Sequence, residues 1–234
     1  MENKSFDDAM QGSFTASMAE RYSVATNHHA VARPSLPNYL ALTPGPTWGI
    51  TDDGYHRLPP EEVGHQLTEA GILWRAHMES VTGGRLSSRY PYAVRHDPFA
   101  CYGGSCSTNA VPLTRLRSDL QGSTPRFTWI TPNLSDDTHD CPLNVGDSWL
   151  RSTVPGITSS PAWQALGVLF IACDEAESSG DNHVATLVIA PHQLRHASAR
   201  HYDHYSLLAT VEDELGVPRP GRAAQATPMD DLLP

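Results

Sequence analysis

Three acidic side chains, one serine and two histidines carry the chemistry open to this sequence. Glu2-Asn3 stand near its start, Ser35 sits in Arg33-Pro-Ser-Leu-Pro-Asn-Tyr-Leu-Ala-Leu-Thr-Pro-Gly45, and Asp174-Glu175 follow a long apolar run. The carboxylates of Glu2, Asp174 and Glu175, the amide oxygen of Asn3 and the Ser35 hydroxyl would together make an oxygen-rich site for one hard divalent cation, Ca²⁺, Mg²⁺ or similar. A serine is a poor nucleophile at neutral pH; a metal on its oxygen lowers its pKa and polarises a phosphoryl group. His96 and His139 could contact phosphate oxygens or protonate a leaving group.

Each of these residues also has a plainer structural reading. Pro37 suits a first helical turn, so Ser35 reads as a helix N-cap as readily as a nucleophile, and such a helix start also welcomes an anion. Asp174-Glu175 at a strand end could be turn residues. His139 could cap a helix or pair with Asp136. His28-His29 read as solvated surface. His192 and His196 would share a helix face, but Pro191 and the lack of a nearby acidic partner argue against a metal site there.

Composition narrows the field. A net charge of −10 over 234 residues argues against nucleic-acid binding, which needs a basic surface. The length suffices for a buried core. Of the four cysteines, Cys101 and Cys106 flank a short flexible loop that a local disulfide could close, while Cys141 and Cys173 stand alone; without a Cys-x-x-Cys, a thiolate metal site is disfavoured. There is no membrane-length apolar run and no signal peptide, so the chain as written would be cytoplasmic.

The elements that must position these groups follow from periodicity. Residues 6–21 read as one helix with Phe6, Met10, Phe14 and Met18 on a face, and Tyr22 to Thr26 as a weak strand. Helices are expected after Ser35, from Pro59 to Glu69, from Pro112 to Leu120, around Asn144–Thr153, and from His204 to Leu215 with Gly216 as its stop. Strands are expected at Ile72–His77, Arg126–Thr131, Ala165–Cys173 (buried on both faces) and Ala185–Ala190. Residues 82–111 form a loop-rich insertion and 217–234 a surface tail. Alternating strands and helices imply an α/β fold with a mostly parallel sheet, in one domain spanning 1–234; ligands gather beyond the carboxyl ends of such strands, where Asn133–Asp140 and Asp174-Glu175 lie.

In combination and order, several motifs resemble the bacterial phosphoesterase family that holds metal-dependent acid phosphatases and phosphatidylcholine-type phospholipases C, within the alkaline phosphatase superfamily. They are Met-Glu-Asn-Lys-Ser-Phe-Asp at 1–7, the Ser35 segment, Arg95-His-Asp-Pro-Phe99, Thr131-Pro-Asn-Leu-Ser-Asp-Asp-Thr-His-Asp140, Gly146-Asp-Ser-Trp-Leu150 and His204-Tyr-Ser-Leu-Leu208. The resemblance implies a three-layer sandwich. It implies Ser35 as a nucleophile that becomes phosphorylated, and Glu2, Asn3, Ser35, Asp174 and Glu175 as ligands of one divalent cation. It also implies His96 and His139 on the phosphoryl group or leaving oxygen, and Asn38 and His204 among the substrate-binding residues.

Against the family pattern, Cys173 stands where Trp is usual, and Ser135 where many members have Cys, which leaves Cys141 without that partner. Members usually open with an export signal and a core strand leading into Glu-Asn; here the first core strand is expected to be lacking, through a truncated or misassigned start. The expected activity is a phosphomonoesterase acting on a small phosphate ester or a phospholipid headgroup. The alternatives are a phospholipase C-type phosphodiesterase and an inactive fragment.

Overall fold

The computed structural model describes residues 1–83, 85–100, 102, 108–177, 180–192 and 195–234, so the expected Cys101–Cys106 pair lies outside the described residues. In chain order the elements are α1 (Phe6–Ala9), α2 (Ser13–Arg21), β1 (Ser23–His29), α3 (Ser35–Ala41), α4 (Val63–Glu69) and β2 (Trp74–Met78). The loop-rich stretch holds two 3-10 turns, Val94–His96 and Pro98–Ala100. It leads to β3 (Ala110–Pro112), α5 (Leu116–Gln121), β4 (Phe127–Thr131), α6 (Leu143–Thr158), α7 (Pro161–Gln164) and β5 (Leu169–Ala172). Then come β6 (His183–Ile189), β7 (Ala197–Ser198), β8 (Tyr202–Asp203) and α8 (His204–Leu215).

The strands form two sheets. One has the order β5-β6-β1-β7, with β8 also on β1; the other is β3-β2-β4. β6 runs antiparallel to β1 and β5, and the remaining pairs are parallel, so the fold is α/β with a mixed sheet beside a parallel one. Alternation on β1 and β6 divides the layers, because successive strand side chains point to opposite faces. Val24, Leu187 and Ile189 pack with Trp163 of α7 and Met18 of α2, whereas Ala25 and Val188 pack with Leu207 of α8. Helices thus cover both faces.

Four expectations need correction. The 6–21 helix is two helices, because the chain turns at Gly12 against the Asp147 carboxylate. A Cβ on Gly12 would lie 2.6 Å from Asp147 Oδ1, and that carboxylate accepts the N–H groups of Phe14 (3.0 Å) and Thr15 (2.8 Å), capping α2 from α6. The weak strand at 22–26 is the longer β1, and its His28 is fully buried rather than solvated. The 217–234 tail folds back and buries Ala223, Met229 and Leu232 against the core. Last, β5 starts at Leu169 and is only half-buried.

The reason for that half-burial is a groove. β4 and β5 are the facing edges of the two sheets, and a groove of about 680 Å³ runs between them, lined by Phe127, Trp129, Leu169, Phe170, Val211 and Leu215 among others. Met1 sits at its end: its amino group donates to the Ala172 carbonyl at 3.0 Å, and its own carbonyl accepts the Asp174 N–H at 2.9 Å. This pair of bonds fixes Glu2 beside the end of β5. Among the described residues, no helix is long and apolar enough to cross a membrane.

Candidate active site

Ser35 is the first residue of α3, and the N-cap is Pro34; the Ser35 side chain caps nothing. Its hydroxyl instead donates to Glu2 Oε2 at 3.1 Å and lies 3.3 Å from Glu175 Oε1. The helix-cap reading of this serine therefore does not hold. Its orientation is set by Asn38, one helical turn on, whose Oδ1 accepts the N–H groups of Val31 and Ala32 (3.0 Å each) and whose Nδ2 donates to the Ala32 carbonyl (3.0 Å). Asn38 is fully buried, bonded mainly to the loop before α3, and its Nδ2 also lies 3.5 Å from Glu175 Oε2, so it ties that loop to the site.

Glu2, Asp174 and Glu175 converge on the same pocket and are buried. Burial, then the neighbouring carboxylates of Asp174 and Asp137, hold the Glu2 carboxyl well above its usual range. Burial raises Asp174, and burial together with Asp174 pushes Glu175 up to about 7. Tyr39, four residues after Ser35 and so on the same helix face, donates its phenolic hydroxyl to Glu2 Oε1. Asn3, with φ +54°, donates its N–H to Asp174 Oδ1 at 3.3 Å.

His96 and His139 join from the other sheet's side. Asp137 Oδ2 lies 3.1 Å from His96 Nδ1 and 137 Oδ1 accepts the His139 N–H at 2.8 Å, so one carboxylate orders both histidines. His96 is buried, and desolvation pushes it down to about 3. It is therefore a neutral ring whose Nε2, 3.4 Å from Glu2 Oε1, offers a lone pair rather than a proton. His139 is half-exposed, with Asp140 Oδ1 2.7 Å from its Nδ1. Ligand atoms of Glu2, His96 and His139 all lie within 4.8 Å of one another.

A divalent cation fits this donor set. Asp174 Oδ2 and His96 Nε2 are buried without a hydrogen-bond partner among the described residues, and the three raised carboxyls repel one another in a way that a cation would relieve. The cluster includes the two histidines, whereas the sequence pointed to Glu2, Asn3, Ser35, Asp174 and Glu175 alone.

His204 stands behind the pocket. It is fully buried, its Nε2 is 2.5 Å from the Asp174 carbonyl oxygen, and its Nδ1 is 3.1 Å from His28 Nε2. The structure thus gives it a place in supporting Asp174, out of reach of a substrate. Sequence reasoning missed Asp137, Tyr39, Asp53 and Arg95. Two of these left a signal: Asp137 precedes His139 by two residues, and Tyr39 shares the i, i+4 face of Ser35. The Gly146–Leu150 motif is supporting structure. A Cβ on Gly146 would lie 2.3 Å from Thr138 Cγ2, and Trp149 Nε1 donates to Glu79, which in turn accepts the Asn133 N–H.

Comparison with known proteins fits this geometry. A profile of the Phosphoesterase family matches residues 3–218. A phosphatidylinositol-3-phosphatase of Mycobacterium tuberculosis is 27% identical over 94% of this chain and 75% of its own length. An acid phosphatase of Aspergillus fumigatus is 26% identical, and a phosphate-repressible acid phosphatase of Penicillium chrysogenum 25%. The match covers 95% of this chain in both cases, but only 55% and 59% of those fungal proteins. Among solved structures, a Vibrio parahaemolyticus protein of the alkaline phosphatase superfamily superposes with a TM-score of 0.62 at 10% identity, covering 94% of this chain and 66% of that one. A phosphonate monoester hydrolase from Silicibacter pomeroyi gives 0.58 at 10% identity, covering all of this chain and 75% of its own. At such identity these two speak to the fold.

Proposed function

The chain belongs to the Phosphoesterase family, and on that premise we propose that it hydrolyses phosphate monoesters through a phosphoserine on Ser35, with one divalent cation beside it. The observation that carries this reading is the Ser35 hydroxyl, free of any capping bond and directed at Glu2 and Glu175 in a buried acidic pocket. The names of its relatives, an inositol-lipid phosphatase and acid phosphatases, support a small phosphate ester or a phospholipid headgroup as substrate.

In the first step the Ser35 Oγ–P bond forms as the bond from phosphorus to the leaving oxygen breaks. Glu175, with Oε1 3.3 Å from the hydroxyl, takes its proton. The leaving oxygen takes a proton from the half-exposed His139. Water then cleaves the phosphoserine and releases inorganic phosphate. Glu2, Asn3, Asp174, Glu175 and Ser35, with the His96 lone pair, would hold the cation. When bound, it neutralises the carboxylates, lowers the Ser35 pKa and polarises the phosphoryl group.

Turnover of p-nitrophenyl phosphate, bis(p-nitrophenyl) phosphate and phosphatidylcholine, with and without added divalent metal, tests the proposal. The expected result is metal-stimulated hydrolysis of the monoester. Faster turnover of the two diesters would favour a phospholipase C-type reaction, and no turnover of any of the three would overturn the hydrolase reading.

A further inference from the structure

Arg95 neighbours His96 in sequence, and its guanidinium sits between two groups at the mouth of the pocket. Its Nη2 lies 3.0 Å from His139 Nε2, and its Nε, buried and without a hydrogen-bond partner among the described residues, lies 3.6 Å from Asp53 Oδ2. A guanidinium only donates, so His139 Nε2 must present its lone pair to Arg95 while Nδ1–H donates to Asp140. Asp53 comes from the turn at 51–54, and its other oxygen accepts the N–H of Leu36, the residue after Ser35, at 3.0 Å. One carboxylate is therefore held by a guanidinium and by the main-chain N–H of the residue that follows Ser35.

The other cations near the pocket are committed elsewhere. Arg33 donates to the carbonyls of Ala176 and Gly180, and Lys4 to those of Asn3 and Thr138. Acidic groups dominate the surroundings: Glu2, Asp137, Asp174, Glu175 and Asp53. Arg95 is the guanidinium that touches one of the histidines of the site.

We propose that Arg95 is the cation that clamps the substrate phosphoryl group, and that Asp53 is the counter-ion on which it rests until a phosphate arrives. This rests on the phosphomonoesterase reading and names the feature that selects within it. On binding, the guanidinium exchanges Asp53 and His139 for two phosphoryl oxygens, and the freed His139 Nε2 takes up a proton from solvent, which it then gives to the leaving oxygen. A fork of two parallel N–H donors takes two unsubstituted oxygens, which in a monoester belong to a group of charge about −2 and in a diester to one of about −1, so the cation holds the monoester more strongly. Asp53 competes with the ligand for the same donors.

The test uses inorganic phosphate as the probe, its affinity measured by calorimetry on the metal-supplemented wild type, Arg95→Gln and Asp53→Asn. Arg95→Gln should weaken phosphate about tenfold or more, as loss of a charge-assisted hydrogen-bond pair would, and should lower kcat/KM for p-nitrophenyl phosphate more than for bis(p-nitrophenyl) phosphate. Asp53→Asn should tighten phosphate severalfold, a gain that structural damage does not produce. Unchanged affinity in a folded Arg95→Gln overturns the proposal; if that variant does not fold, unchanged or weakened affinity in Asp53→Asn overturns it. Absence of phosphate binding by the wild type overturns it as well. A wild type that binds phosphate through Arg95 but hydrolyses no ester would leave the clamp standing and refute the hydrolase reading; the reverse pattern would refute the clamp alone.

Discussion

The Ser35 hydroxyl donates to Glu2 across 3.1 Å, joining the first turn of α3 to a residue 33 positions earlier in the chain. This contact depends on Met1, whose two main-chain bonds to the end of β5 fix Glu2, and on Asn38, which ties down the loop before α3. The pocket is thus assembled from loop ends tied by main-chain groups, on an α3 whose Leu36 and Leu40 are fully buried in the core.

Asn38 is predicted to matter for folding more than for chemistry. Asn38→Ala leaves the N–H groups of Val31 and Ala32 without their acceptor in a half-buried loop, each such loss costing about 0.5–1.5 kcal/mol. Urea denaturation should show a loss on the order of 1–3 kcal/mol. A variant as stable as wild type but inactive would instead return Asn38 to substrate binding.

Metal should stabilise the fold, because a cation relieves the repulsion among Glu2, Asp174 and Glu175. At about 100 times its dissociation constant, a ligand specific to the native state adds roughly 2.7 kcal/mol. Thermal unfolding with and without chelator is expected to differ by several degrees, and Asp174→Asn should abolish most of that difference. A melting temperature indifferent to Ca²⁺, Mg²⁺, Mn²⁺ and Zn²⁺ would count against the donor set.

Glu212 sets a pH dependence remote from the site. It is fully buried on α8, both carboxyl oxygens lack a hydrogen-bond partner among the described residues, and burial pushes it up to about 8. The folded chain therefore holds a proton that the unfolded chain releases near the ordinary value of 4.5. Stability from this group is full below that value and falls as pH rises toward about 8. Glu212→Gln should flatten this decline and be the more stable form at pH 8, by an amount on the order of a few kcal/mol. Parallel stability curves for the two proteins between pH 5 and about 8 would refute the assignment.

Ser135 Oγ lies 2.8 Å from Cys141 Sγ. Replacing Ser135 with cysteine places two sulfurs within bridging reach, so Ser135→Cys should oxidise to a disulfide and gain about 2 kcal/mol from closing the short loop. Thiol titration before and after oxidation checks it; two persistently free thiols at these positions would show that the Cβ geometry is wrong.

The sequence made the chemistry visible more readily than its supports. Asp174, Glu175 and His139 could be picked out because they follow strand ends, Ser35 because it starts a helix, and Glu2 and His96 through motifs that resemble the family's; the structure brings them together. Asn38 and His204 were read as substrate contacts, because an amide or imidazole near a site looks the same in sequence whether it faces the ligand or the layer behind. Their hydrogen-bond partners, the 31–32 loop for Asn38 and the Asp174 carbonyl and His28 for His204, separate the two. The capping of α2 by Asp147 and the long β1 were hidden for another reason: each depends on partners more than a hundred residues away, β6 in the case of β1, which local propensity does not register. Arg95 and Asp53 drew no attention singly, since an exposed-looking turn aspartate and a basic residue are common; only their meeting at His139 gives them meaning.

The most direct test is to quench the metal-supplemented enzyme in acid during turnover of p-nitrophenyl phosphate and map phosphorylated peptides by mass spectrometry. The account predicts phosphate on Ser35 in the peptide that contains Pro34–Asn38, and no phosphopeptide and no turnover in Ser35→Ala. Continued hydrolysis by a folded Ser35→Ala, or phosphate found on another residue during wild-type turnover, would contradict it.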